Sequence, residues 1–184
     1  VTTFATLNED LRWATQLREL LPHAQIGLRG APCYVMDGTI LAENPSLDFC
    51  VKGEYEVVFR EIVERGVHHA SGVSVRRDSK VQLAREIPRV SNLDELPFPD
   101  RSVIDQSLYT VRGFGGTQAT VRVQRGCPYP CSYCLVHTVS GNEARHRSPA
   151  SIRQEIAQMQ RAGVRSFYLR AETFSLDRAW ALAV

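Results

Sequence analysis

The sequence comprises 184 residues, of which 43% are apolar and 23% are charged, and its formal net charge is +2. This composition is typical of a globular protein and excludes a disordered chain. The small net charge argues against a nucleic-acid-binding surface, and no apolar run approaches the roughly 20 residues that cross a bilayer. We therefore expect neither a nucleic-acid partner nor a membrane span.

The cysteines and the ends of the chain carry two further expectations. Five cysteines occur without a recognisable secretory segment, which predicts a reducing, cytoplasmic location. The chain begins at Val1, and residues 176–184 form an apolar helical pattern with no Gly or Pro to stop it. We therefore expect a piece of a longer protein, and we expect the piece alone to be inactive.

Residues 1–85 have the pattern of an α/β domain. The predicted elements are, in chain order, a helix opened by a capping box at residues 6–9 and ended by Pro22, strands at 24–28 and 48–52, and a helix at 54–64. Strands that alternate with helices predict βαβ units and a parallel sheet. Two further β-rich runs, at 72–76 and 80–83, predict a hairpin with residues 77–79 at its turn.

A proline-rich stretch, residues 86–116, separates this pattern from the rest of the chain. Its prolines predict a stiff, extended connector between two domains. The remaining residues, 117–184, begin with a strand at 119–123 and predict a second α/β unit.

Three of the five cysteines, Cys127, Cys131 and Cys134, occupy eight consecutive residues in the spacing Cys-x3-Cys-x2-Cys. Clustered thiolates suit an iron–sulfur cluster or zinc. Three thiols cannot pair off as disulfides, and Cys33 and Cys50, which we expect to be small buried apolar residues, lie far away in the sequence. Three ligands are one short of a closed four-thiolate site, and a missing protein ligand leaves a coordination position open.

A nearby histidine offers the alternative of a structural zinc site. His137 follows Cys134 after two residues, so the three cysteines and His137 would complete a Cys3His tetrahedron. However, the strand at 119–123 runs into the cysteine loop and a helix follows the loop. This order predicts a site at the carboxyl end of a strand, where α/β folds carry their chemistry.

Two more elements follow the cysteine loop. Ser148 caps a predicted helix with Pro149 at its first position. Arg145 and Arg147 just before it either bind cofactor carboxylates or belong to an exposed loop. A strand at 164–169 then precedes Glu172. A carboxylate at that place can accept hydrogen bonds from an ammonium group, or it can serve only to favour the start of a helix.

The cysteine spacing, with an aromatic residue just before the last cysteine, resembles the signature of the radical S-adenosylmethionine (radical SAM) enzymes. The resemblance implies that Cys127, Cys131 and Cys134 bind three irons of a 4Fe–4S cluster. The amino and carboxylate groups of S-adenosylmethionine would then chelate the fourth iron, and Tyr133 would lie beside the adenine. In that family the reduced cluster cleaves the sulfonium and yields a 5′-deoxyadenosyl radical.

The family pattern also has a Gly-Gly-Glu-like motif at the end of the second strand of the barrel. Here Arg170-Ala171-Glu172 stands at that place, with neither glycine present. The resemblance implies that Glu172 binds the methionyl amino group of the cofactor.

The first 85 residues resemble the later half of the cobalamin-binding domain that precedes many radical SAM cores. That domain carries variants of Gly-Gly-Pro and of Asp-x-Val-x-x-Gly-Glu-x-Glu, and residues 30–32 and 48–56 stand at these places, with Ala31 instead of the second glycine. The resemblance implies that Gly30, Gly53 and Glu54 border the cobalamin. Gly30 would allow close approach of the ligand, and Gly53 would leave free N–H groups at a helix start.

The two resemblances together imply an α/β fold with three parts. These are the C-terminal half of a Rossmann-like cobalamin-binding domain (1–85), a Pro-rich linker (86–116) and the start of a partial (β/α)6 radical SAM barrel (117–184). The implied activity is methyl transfer from cobalamin to an unactivated carbon of a small-molecule substrate of unknown identity. An electron donor such as flavodoxin or ferredoxin would reduce the cluster.

Three alternatives stay open. The first is a radical cyclase or rearrangement enzyme of the same class. The second is a methylthiotransferase, although those enzymes have three further cluster cysteines in an N-terminal domain, and only Cys33 and Cys50 precede the triplet here. The third is a zinc-stabilised binding module that uses His137.

Overall fold

The computed structural model of the chain describes residues 1–77, 80–111, 113 and 116–184. The predicted hairpin turn at Asp78 and Ser79 lies outside the described residues, as do three residues of the predicted linker.

The fold is mixed α/β. Its helices are α1 (Leu7–Leu20), α2 (Ala31–Glu43), α3 (Tyr55–Arg65), α4 (Val136–Ser140), α5 (Pro149–Arg161) and α6 (Arg178–Ala183). Its strands are β1 (Gly27–Arg29), β2 (Phe49–Val51), β3 (Val73–Arg77), β4 (Lys80–Gln82), β5 (Gln118–Arg122), β6 (Gln124–Arg125), β7 (Arg145–His146) and β8 (Ser166–Arg170).

The chain divides into two compact units. The first comprises residues 1–90 with 138–140, and the second comprises residues 91–137 with 141–184. Each unit has its own buried apolar cluster. Among the described residues, no helix combines the length and the apolarity that a bilayer span requires.

The first unit contains a four-stranded sheet in the order β1-β2-β3-β4. Strands β1 and β2 are parallel, as the alternating pattern predicts, whereas β3 pairs antiparallel with β2 and β4 pairs antiparallel with β3. The parallel pairing of β1 with β2 and the predicted hairpin of β3 and β4 are therefore both confirmed, and the antiparallel joining of the hairpin to β2 makes the sheet mixed. Antiparallel edge strands on an otherwise parallel sheet are common in α/β proteins.

Helix α2 packs against this sheet and was not predicted. Pro32 sits in its first turn, where a missing N–H group costs no helical hydrogen bond. Cys33, Ile40 and Leu41 of the helix are buried together with Cys50 of β2, which confirms that Cys33 and Cys50 are small buried residues. The predicted capping box of α1 is wrong, because the Thr6 hydroxyl donates to the Asp10 carboxylate (2.9 Å), accepts from the Thr3 N–H group (3.1 Å) and caps no N–H group of the helix.

The second unit is built on the parallel pair β5 and β8, with α5 between them in sequence. Their register aligns Val121 with Leu169. The core of the unit joins these strands to α5, whose Ile152 and Met159 are buried. The Ser148 hydroxyl accepts a hydrogen bond from the Ser151 N–H group (3.1 Å), which confirms Ser148 as the helix cap.

The stretch predicted as an extended connector packs within the second unit from residue 91 onward. The carboxylate of Asp94 accepts hydrogen bonds from the Ser148 N–H group (3.0 Å and 3.2 Å), and Arg101 donates to the Thr120 carbonyl (2.8 Å). The side-chain amide of Gln106 donates to the Gln118 carbonyl (2.9 Å). The bonds from Arg101 and Gln106 satisfy backbone carbonyl groups of β5, which an exposed edge strand would leave unpaired.

Candidate metal centre

The cysteine loop begins directly after β6 and is held there by a close approach of two backbone segments. The Cys127 N–H group donates to the Gly141 carbonyl (3.1 Å). Gly126 has φ of 83°, and a Cβ atom built on it would lie 2.0 Å from the Glu143 carbonyl oxygen. Only glycine fits this position, because it tolerates positive φ and has no side chain to collide with that oxygen.

The three cysteines of the loop are free thiols and are half-buried. The Thr173 hydroxyl donates to Sγ of Cys127 (3.5 Å), and the Val136 N–H group donates to Sγ of Cys134 (3.5 Å). Over the described ranges, no three His, Cys, Asp or Glu side chains are gathered closely enough to hold a metal ion. The donor set itself, three accessible thiols within eight residues, is the kind that iron–sulfur clusters require.

Tyr133 is 89% exposed, so its ring lies on the surface of the loop. A hydrogen bond with Cys131 raises the pKa of the Tyr133 phenol above its usual value. Its predicted place beside a bound adenine stays a prediction.

Glu172 follows β8 and approaches the cysteine loop. Its Oε1 atom accepts from Arg122 (2.5 Å), while its Oε2 atom is buried without a hydrogen-bond partner among the described residues. A buried carboxylate oxygen without a partner is costly. It is therefore available to a ligand with a hydrogen-bond donor, such as an ammonium group, and in this respect the structure fits the amino-acid end of S-adenosylmethionine.

Gln124 and Thr173 are two residues of this region that the sequence did not reveal. Gln124 is fully buried, and its Oε1 atom accepts from the Thr173 N–H group (3.2 Å). The Nε2 atom of Gln124 has no hydrogen-bond partner in the part of the chain that the structure describes. The position of Gln124, directly after a run of β-forming residues and just before the cysteines, is the signal that could have identified it.

Arg147 does not take the predicted role of a cofactor ligand. It is buried, pairs with the carboxylate of Glu155 and donates to the Ser151 hydroxyl (2.8 Å). The ring of Phe98 lies 5.3 Å from its guanidinium carbon. These contacts use the guanidinium within the core of the second unit, and the prediction for Arg147 is wrong.

His137, the proposed fourth ligand of a zinc site, lies on α4. Its Nδ1 atom is buried and lacks a hydrogen-bond partner within the described residues. The zinc alternative stays a hypothesis that a metal analysis can decide.

The glycines assigned to cobalamin by resemblance lie at the ends of β1 and β2 in the first unit, where the chain's own backbone contacts them. Gly30 has φ of 140°, and Thr2 forms a parallel bridge with it. A Cβ atom on Gly30 would lie 1.9 Å from the Thr2 carbonyl oxygen. The N-terminal segment therefore requires glycine at this position, whether or not a ligand also approaches it.

Gly53 and Glu54 are likewise engaged within the first unit. The Gly53 N–H group donates to the Tyr34 hydroxyl (2.8 Å), and the Glu54 N–H group donates to the Pro88 carbonyl (2.9 Å). The buried Glu54 carboxylate accepts from the Val90 N–H group (2.7 Å). The N–H groups of Gly53 and Glu54 are therefore engaged within the unit, and the cobalamin role of these residues stays a prediction.

Replacing Gly30 by alanine is expected to lower the free energy of unfolding by at least about 1 kcal/mol, because the new Cβ collides with backbone and the φ angle is strained. Gly66 provides the matched control. It also has positive φ (82°), but a Cβ atom there meets nothing within 4 Å. Urea unfolding of the ligand-free protein should show a larger loss for Gly30→Ala than for Gly66→Ala; equal losses would contradict the collision with Thr2.

No protein-family model matches the chain. Among curated proteins, it is 32% identical over 171 residues to an anaerobic magnesium-protoporphyrin IX monomethyl ester cyclase of Synechocystis, covering 89% of this chain and 33% of the relative. It is 25% identical over 175 residues to the cobalamin-dependent radical SAM methyltransferase TokK of Streptomyces tokunonensis, covering 91% of this chain and 26% of that relative. A ribosomal-protein methylthiotransferase of Thermosynechococcus vestitus is 26% identical over 178 residues, and the match covers 95% of this chain and 34% of that relative. The chain thus spans about a third or less of these relatives.

Two solved structures share the fold. One is the radical S-adenosylmethionine methyltransferase TsrM from Kitasatospora setae with cobalamin and a [4Fe-4S] cluster bound, with a TM-score of 0.65 and 20% identity over 96% of this chain and 35% of that one. The other is the cobalamin-dependent S-adenosylmethionine radical enzyme OxsB with aqua-cobalamin and S-adenosylmethionine bound, with a TM-score of 0.66 and 19% identity over 88% and 23%. Taken together with the sequence relatives, these matches show that the chain is related to the radical SAM enzymes, with cobalamin-dependent methyltransferases among its relatives.

Proposed function

We propose that this chain is part of a longer radical SAM enzyme that binds a 4Fe–4S cluster, S-adenosylmethionine and cobalamin, and that transfers a methyl group to an unactivated carbon. In this proposal residues 1–85 are the later half of a Rossmann-like cobalamin domain. Residues 117–184 are the start of a partial (β/α)6 barrel, and residues 86–116 link the two.

One contact carries the proposal. The hydrogen bond from Thr173 to Sγ of Cys127 joins two segments that are 46 residues apart in sequence. It brings the end of β8, and with it Glu172, beside the first cysteine of the loop. The proposed cluster has an open coordination position that binds the amino-acid end of S-adenosylmethionine. Such a site needs three thiols to hold the cluster and a nearby carboxylate with an unpaired oxygen, and one edge of the sheet carries both.

In the proposed site each side chain has a separate task. Cys127, Cys131 and Cys134 hold the cluster, and Oε2 of Glu172 accepts hydrogen bonds from the methionyl ammonium group. Arg122 orients the carboxylate through the bond to Oε1 (2.5 Å). When bound, the cluster and cofactors supply the radical chemistry and the methyl group, while the protein supplies binding and orientation.

Methyl transfer is favoured over other reactions of the class by the relatives named above, one of which is a cobalamin-dependent methyltransferase. A radical cyclase or rearrangement enzyme is the second candidate, and the cyclase relative, at 32% identity, favours it specifically. Similarity to a methylthiotransferase makes methylthio transfer a third candidate activity. Identifying the product that the full-length enzyme forms from its substrate distinguishes these three activities. The proposed enzyme is cytoplasmic and takes its electrons from a donor such as flavodoxin or ferredoxin.

The test uses the full-length protein with its cluster reconstituted anaerobically. With a strong reductant, the wild type is expected to convert S-adenosylmethionine to 5′-deoxyadenosine, which chromatography measures. Glu172→Gln should weaken cofactor binding roughly 10- to 100-fold, since a hydrogen bond to a charged group contributes about 1.5–3 kcal/mol. Equilibrium dialysis with labelled cofactor measures this directly.

The matched control is Glu143→Gln, which makes the same chemical change at an exposed carboxylate of the second unit. It should bind the cofactor as the wild type does. Undiminished binding by Glu172→Gln would contradict the role of Glu172. A wild type that keeps its cluster but releases no 5′-deoxyadenosine would contradict the proposed reaction class.

A further inference from the structure

Thr173 lies in the segment that follows β8, and its side chain and its backbone both have partners in the cysteine region. Its hydroxyl donates to Sγ of Cys127 at 3.5 Å, which is within hydrogen-bonding range for sulfur. Its N–H group donates to Oε1 of Gln124 at 3.2 Å. The hydrogen bond of the Thr173 backbone therefore helps to fix the direction in which the Thr173 hydroxyl points.

Gln124 is a rigid support for this contact. Its side chain is fully buried, and it belongs to β6, which pairs with β7 through Gln124 and His146. Its amide oxygen must face the Thr173 N–H group, because only an oxygen can accept that hydrogen bond. A side chain that is enclosed on all sides and anchored at its backbone has few alternative positions. Gln124 therefore holds Thr173 near the loop.

We propose that Thr173 tunes the reduction potential of the cluster by donating a hydrogen bond to the ligand sulfur of Cys127, and that Gln124 positions Thr173 for this contact. This inference rests on the proposed function, because it requires Cys127 to be a cluster ligand. Hydrogen bonds to the sulfurs are among the properties that set the potentials of iron–sulfur clusters. A donor at the sulfur stabilises the more negatively charged, reduced state and so raises the potential.

Another hydrogen bond to a thiol of the loop comes from the backbone. The Val136 N–H group donates to Sγ of Cys134 at 3.5 Å, and no side-chain substitution removes it. Of these two donors, the hydroxyl of Thr173 is the one that mutation can remove. Substitution of a neighbouring side chain can therefore remove the hydrogen bond to Cys127 but not the one to Cys134.

The experiment measures the midpoint potential of the reconstituted cluster in the full-length protein without S-adenosylmethionine. Electron paramagnetic resonance reports the reduced cluster at each potential. Thr173→Val keeps the size and branching of the side chain but removes the donor, and we expect its midpoint to shift to more negative potential. Thr173→Ser keeps a hydroxyl and should restore a midpoint closer to that of the wild type.

The matched control is Thr117→Val. Thr117 immediately precedes β5, at the end of the strand opposite the cysteine loop, and its hydroxyl donates to the Gly163 carbonyl. The same loss of a hydroxyl there should leave the midpoint unchanged. Gln124→Met removes the acceptor for the Thr173 N–H group at nearly constant volume, and it should shift the midpoint in the same direction as Thr173→Val.

The outcomes separate this inference from the proposed function. A wild-type cluster whose midpoint is the same in Thr173→Val overturns the inference and leaves the proposed function intact. A shift of equal size in Thr173→Val and Thr173→Ser also overturns it, because the effect would then follow packing and not the hydroxyl. A wild type that holds no iron–sulfur cluster overturns the proposed function and this inference together.

Discussion

Replacing Cys131 by alanine is expected to abolish the brown colour that anaerobic reconstitution with iron and sulfide gives the wild type, a broad absorption at about 400 nm. Two thiolates cannot replace three in holding three irons, so the loss should be essentially complete. Absorption spectroscopy with iron and sulfide analysis measures it. His137→Ala should retain the colour, because the proposed cluster uses no histidine.

The zinc alternative predicts the opposite pattern. A Cys3His zinc protein is colourless, and its zinc content would fall in His137→Ala as well as in Cys131→Ala. Cys50→Ala is a useful further control, since Cys50 is a buried thiol of the first unit. A colourless wild type with one equivalent of zinc that depends on His137 would refute the iron–sulfur assignment.

Replacing Glu155 by alanine is expected to reduce the free energy of unfolding of the second unit by about 3–5 kcal/mol, the usual cost of removing one partner of a buried ion pair. Glu155 is 3% exposed and pairs with both Arg147 and Arg101. Its loss leaves the buried guanidinium of Arg147 without its carboxylate. Chemical denaturation followed by circular dichroism measures the change.

Gln158→Ala is the control for this prediction, because it truncates an exposed polar side chain on the same helix. Its effect should stay within about 0.5 kcal/mol, as surface substitutions usually do. If Glu155→Ala were as stable as Gln158→Ala, the ion pair of Arg147 and Glu155 would not be part of the folded core.

The prediction from sequence succeeded where the signals are local. The cap at Ser148 and the hairpin of β3 and β4 follow from turn and capping residues within a few positions of one another. Helix α2 escaped prediction for a physical reason. Residues buried by packing, such as Cys33 and Leu41, alternate with exposed apolar residues such as Val35, so no polar face marks the helix. Pro32, which suits the first turn of a helix, was assigned to a loop.

The contacts that the predicted connector makes could not be predicted, for a different reason. Prolines in the range 86–116 indicate a stiff chain, but stiffness does not reveal what the chain packs against. Asp94 accepts hydrogen bonds from the Ser148 N–H group, 54 positions later, and Arg101 reaches the edge of β5. Such contacts depend on where distant segments meet, and no local pattern encodes them.

The sequence by itself identified Cys127, Cys131 and Cys134 as a candidate soft-metal site, because three thiols within eight residues suit such a centre wherever the loop lies. Only the tertiary structure decided which side chains surround those thiols. The parallel pairing of β5 with β8 brings Glu172 and Thr173 to the start of the cysteine loop, and it gives the buried Gln124 a partner there. Strand register creates these contacts, and register is a property of the packed sheet that neither strand carries alone.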